Sequence, residues 1–91
     1  MSSFFAEFVH TDNGVTCSDR GFMDLSTAEE CSSTVSYAKS FNVKANYKSS
    51  LTQAHYPKGC FIVDWGNIYF NSHSIGERQR ESTSICKKGN T

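Results

Sequence analysis

Four cysteines, Cys17, Cys31, Cys60 and Cys86, are spread through 91 residues at separations of 14, 29 and 26. A chain this short builds one modest hydrophobic core, so covalent staples weigh heavily on what it folds into. Zinc ligands usually arrive in close pairs, and no Cys-x-x-Cys occurs here. The spacing therefore points to two disulfides, and to folding in an oxidising, extracellular setting rather than around a metal. Three pairings are open to four cysteines. The preferred one joins Cys17 to Cys86, tying the two ends of the chain, and Cys31 to Cys60, tying a helix to a hairpin. Each closure is worth roughly 3 to 5 kcal/mol in the chain-entropy picture, comparable with the whole net stability of a small domain.

The hairpin is the stretch Pro57 to Asn71, which carries Phe61, Ile62, Val63, Trp65, Ile68, Tyr69 and Phe70 and turns back at Trp65-Gly66-Asn67. Alternation puts Phe61, Val63 and Trp65 on one face of its first strand, and Ile62 and Asp64 on the other. At least one face has to be covered by other parts of the chain. Ser26-Thr27-Ala28-Glu29 reads as a capping box, with the Ser26 hydroxyl accepting from the Glu29 amide and the Glu29 carboxylate returning to the Ser26 amide. Ala28, Cys31, Val35, Ala38 and Phe41 follow at helical spacing. The expected fold is therefore α+β: one helix over about 27–41, disulfide-linked onto a small antiparallel sheet whose hairpin spans about 60–71. Residues 43–56 lose the pattern and read as a surface loop, 72–82 as irregular and polar, and Ser84-Ile85-Cys86 as a last short strand.

The chain starts with a different character. Phe4-Phe5-Ala6-Glu7-Phe8-Val9 lacks the charged flank of a secretory leader and is too short to span a bilayer, but it alternates as a strand with large apolar groups on both sides. The expected organisation is an apolar strand at 1–10, a stapled domain at 11–88 and a tail at 89–91. The apolar segment reads first as an N-terminal strand paired inside its own sheet. Alternatively, Phe4, Phe5, Phe8 and Val9 are candidates for self-association, a strand donated to the sheet of a neighbouring copy.

Charge and motif exclude several functions. Nine Lys plus Arg balance nine Asp plus Glu, so no basic surface is available for nucleic acid and no basic amphipathic helix for a membrane. Asp12-Asn13-Gly14 resembles the start of a calcium loop but lacks the later ligands, and reads as a turn. His10, His55 and His73 are scattered, with no nucleophile elbow, His-Glu-x-x-His or phosphate-binding loop beside them. No enzymatic activity, cofactor or metal is expected. Tyr56, Trp65 and Tyr69 offer aromatic faces, and Asn67 and Asn71 hydrogen bonds, to a sugar. The hydroxyl groups at Ser32-Ser33-Thr34, Ser49-Ser50 and Ser82-Thr83-Ser84 are candidate O-glycan sites, there being no Asn-x-Ser/Thr acceptor.

The order of Cys31 on a helix, Pro57-x-Gly59-Cys60, Ile68-Tyr69-Phe70-Asn71 and Ile85-Cys86-Lys87 resembles a small cysteine-containing module repeated in large predicted extracellular proteins of marine and aquatic eukaryotes. The resemblance covers Cys17 to Lys87 and leaves the Phe-rich segment outside. It implies a secreted, disulfide-stapled domain with the pairing preferred above. The expected role is an extracellular structural module that joins copies of itself, as a homo-oligomer or polymer, or a matrix. The alternative is a monomeric secreted carbohydrate-binding module.

Overall fold

The apolar stretch around Phe61 forms the hairpin that its alternation predicts. The structure, a computed structural model, describes residues 8–88. Their elements run β1 (Phe8–His10), β2 (Met23–Asp24), α1 (Ala28–Ser32), α2 (Val35–Ala38), β3 (Asn46–Leu51), β4 (Pro57–Val63), β5 (Asn67–Gly76) and β6 (Ser82–Lys87), with a single 3-10 turn at Ser18–Arg20. One sheet takes all six strands in the order β1-β6-β4-β5-β3. Ile85 pairs with both His10 and Cys60, and Cys86 with both Val9 and Asp24, so β2 extends the β4 side of β6 beyond Cys60. The fold is α+β with the sheet dominant.

Both disulfides join as preferred, Cys17 to Cys86 and Cys31 to Cys60. All four cysteines are buried. The second bridge lies within a core made by Leu25, Ala38, Ala45, Ile62, Ile68, Phe70 and Ile85, against which Ala28, Val35, Tyr37 and Phe41 pack from the helical side. The stripe read from helical spacing is thus the inward face.

The helix itself differs from the expectation of one rod over 27–41. It is two short pieces, because Ser32, Ser33 and Thr34 turn their hydroxyls back onto the carbonyls of Glu29, Glu30 and Cys31 at 2.9, 2.6 and 2.7 Å. Such back-bonding competes with the helical ladder, and the Thr34 amide accordingly bonds the Cys31 carbonyl three residues back. The cap is displaced by one residue. Thr27 rather than Ser26 accepts from the backbone of Glu30 at 3.0 Å, and the Glu30 carboxylate, not that of Glu29, takes the Ser26 amide at 3.1 Å. Glu30 wins because its second oxygen also reaches Lys87 Nζ on β6 at 3.1 Å, whereas Glu29 is exposed.

Residues 43–56 are not all loop, and the sheet is not purely antiparallel: β3 runs parallel to β5 as an edge strand. A bulge between Tyr47 and Ser49 explains why alternation missed it. One extra residue reverses the phase, so Tyr47 packs into the core beneath the helices while Leu51 lies on the opposite face of the sheet. The stretch expected to be irregular after Asn71 instead continues β5 to Gly76. The hairpin closes at Gly66, whose φ of +108° suits glycine and whose missing Cβ would stand 2.5 Å from the Lys44 carbonyl oxygen. Asn46 N–H donates to the Gly66 carbonyl and Asn42 Nδ2 to that of Asp64, fastening the hairpin tip to the segment that leads into β3.

Candidate binding cleft

The face of the sheet turned away from the helices carries Phe61, Val63 and Trp65, as alternation predicts. Neighbouring strands supply small side chains across from them, Ser84 beside Phe61 and Ser82 beside Val63. Tyr69 pairs with Phe61 on the other side. The Phe61 ring is sandwiched between Tyr56 and Tyr69, with centroids 5.5 and 5.6 Å away, and is itself fully buried. A shallow cleft of about 270 Å³ opens over this floor, bounded by Leu51, Trp65, Gln79 and Glu81. Trp65 remains 59% exposed and Tyr56 39% exposed, a large apolar area for so small a domain to leave in water.

Tyr56 is not on a strand, and five contacts hold the segment that carries it. Its carbonyl accepts from Asn71 Nδ2 at 3.0 Å and from the Glu77 amide at 2.8 Å. Asn71 Nδ2 also donates to the carbonyls of Gln53 and Pro57, and Gln79 Nε2 donates to the His55 carbonyl. The cleft wall is therefore set before any ligand arrives, which lowers the ordering cost of binding.

Of the five residues expected to face a sugar, the structure brings Tyr56, Trp65 and Tyr69 together and leaves two elsewhere. Asn71 is buried and its amide is taken up by backbone groups, so its role is architectural. Asn67 accepts from Asn46 Nδ2 at 3.3 Å, linking β5 to β3. Sequence reasoning missed Leu51, hidden by the bulge, and Gln79 and Glu81, which lie in a charged stretch read as solvated. Phe61 and Val63 were signalled by alternation.

The remaining candidates fall at other places. Phe8 and Val9 pair with Lys87 and Cys86 of their own chain, as the internal-strand reading has it and not as donors to another copy, while Phe4 and Phe5 lie outside the described residues. His10 stacks on Phe41 with centroids 3.7 Å apart and shares a 2.7 Å hydrogen bond with the Tyr37 hydroxyl. Burial holds its imidazole below the ordinary range, against the opposing pull of Asp12. His55 faces Glu77 at 3.6 Å, and His73 Nδ1 accepts from the Ile75 and Gly76 amides. In the Asp12-Asn13-Gly14 turn, Asn13 donates to Asp64 and accepts from Thr83. Among the described residues, no three His, Cys, Asp or Glu side chains gather as metal ligands, and no helix is long and apolar enough to cross a membrane. Of the expected O-glycan sites, Thr34, Ser82 and Ser84 are buried and inaccessible to a transferase, whereas Ser33, Ser49 and Ser50 are exposed. Comparison with protein families, curated proteins and solved structures finds no match for this chain.

Proposed function

We propose that this chain is a secreted module that binds glycans in the cleft lined by Tyr56, Trp65 and Tyr69. The carrying observation is Trp65, more than half exposed at the mouth of a preset aromatic cleft whose rim holds the polar groups of Gln79 and Glu81. Pyranose rings present apolar C–H faces beside hydroxyls, and the accessible rings of Trp65, Tyr56 and Tyr69 with a polar rim match both. Two buried disulfides support the extracellular setting, in which such ligands abound. A glycan array followed by titration of the best oligosaccharide tests the reading. Trp65→Ala is expected to weaken binding by about tenfold or more, as loss of a central aromatic does, while stability moves by no more than about 0.5 kcal/mol because the side chain is largely in water. Unchanged affinity in that variant would remove the cleft from consideration.

Self-association is a second reading, favoured by one observation: β3 ends the sheet and has no further strand beside it among the described residues. An apolar strand from another copy, with Phe4 and Phe5 in it, would complete that edge by β-augmentation. Light scattering on the full chain and on a form lacking residues 1–7 separates the cases. Larger species that vanish on deletion are the expected result, and identical size distributions would discard this reading.

A further inference from the structure

We infer that the cleft selects glycans carrying free amino groups over neutral and acidic ones, an inference that rests on the glycan-binding reading above. Glu81 is the only Asp, Glu, Lys or Arg among the described residues that line the cleft. It forms no ion pair among the described residues, so its charge is available to a ligand. The nearby Arg78 is turned away, its guanidinium held by Asp19 through contacts of 2.9 and 3.2 Å. Arg80 adjoins Glu81 in sequence but is exposed and does not line the cleft.

Trp65, Tyr56 and Tyr69 add to this bias. The π face of an aromatic ring is electronegative and attracts an ammonium group, and a carboxylate at the rim acts in the same direction. A uronic or sulfated sugar would instead bring its charge toward Glu81 without a cation in the lining to receive it. An uncharged sugar stacks on the rings and can hydrogen-bond Glu81 through a hydroxyl, but brings no cation to pair with the carboxylate. The chemistry thus ranks a glucosamine-type oligomer first, its N-acetylated form second and a uronic-acid oligomer last.

The chain has a single tryptophan, so Trp65 fluorescence reports on the cleft directly. The full chain is titrated at neutral pH with tetramers of glucosamine, N-acetylglucosamine and galacturonate. The glucosamine tetramer is expected to bind about fivefold more tightly than its acetylated counterpart, with the advantage shrinking as salt rises. Glu81→Gln should reduce that preference to about twofold or less, weakening the glucosamine tetramer more than the acetylated one. Equal or tighter binding of the acetylated or acidic tetramer, or a preference that persists in Glu81→Gln, overturns the inference while the glycan-binding reading stands. Failure of every oligomer here and on the array overturns both.

Discussion

Reduction of both disulfides is expected to unfold the domain at room temperature. The bridges close loops with sequence separations of 69 and 29. In the chain-entropy model these correspond to about 4.4 and 3.6 kcal/mol. Together they are comparable with the roughly 5 to 14 kcal/mol of net stability typical of a chain this long. The secondary structure they hold has little stability of its own. Helices α1 and α2 have five and four residues, far below the length at which a helix persists alone in water. The Cys31–Cys60 bridge fastens α1 directly to the central strand β4, and Cys17–Cys86 fastens the segment after β1 to β6. Because all four cysteines are buried, a reductant reaches the sulfurs only when the chain opens. The measurement is therefore made by reducing in denaturant, blocking the thiols and dialysing. Loss of the sheet signal in circular dichroism and of a cooperative thermal transition is the expected outcome. Recovery of a transition near the parent midpoint would show that packing alone suffices.

Asn71→Ala is expected to destabilise the domain by about 3 kcal/mol or more, a large effect for a single side-chain amide. Its nitrogen donates to the carbonyls of Gln53, Tyr56 and Pro57 at 2.8, 3.0 and 3.0 Å, and its oxygen accepts from the Gln53 and His73 amides at 3.0 and 3.2 Å. Alanine strands these groups, in part where water has no access, since Asn71 is 1% exposed. Urea unfolding measures the loss, and a change below about 1 kcal/mol would mean that the loop finds other partners. Asn71→Asp sharpens the test, because it preserves shape and the two acceptor bonds but points a carboxylate at three carbonyl oxygens. It should be at least as damaging as alanine. Both variants release the segment carrying Tyr56, so weaker oligosaccharide binding should accompany the lost stability.

Much of this architecture is legible in the chain because its determinants are local. The alternation of Phe61, Val63 and Trp65 against Ile62 involves adjacent residues, and it assigns the faces of β4 without knowledge of any partner strand. The inward stripe Ala28, Cys31, Val35, Ala38 and Phe41 survives the break in the helix, since one tightened turn at Ser33-Thr34 does not rotate the second piece out of the core. The cap was misplaced by one residue for the opposite reason: choosing between Glu29 and Glu30 depends on Lys87, more than fifty residues away in sequence.

By itself, the sequence determined the hairpin, the helical cover and the preference for one cysteine pairing, because turn chemistry, side-chain periodicity and the need for staples in a small core act within short spans or through a few thiols. The tertiary structure alone decided that residues 46–51 form a parallel edge strand, that Asn71 braces a loop, and that Glu81 and Leu51 meet Trp65 across a cleft. Each of those outcomes joins segments distant along the chain, where a bulge that reverses side-chain phase or a backbone carbonyl awaiting a donor leaves no periodic trace.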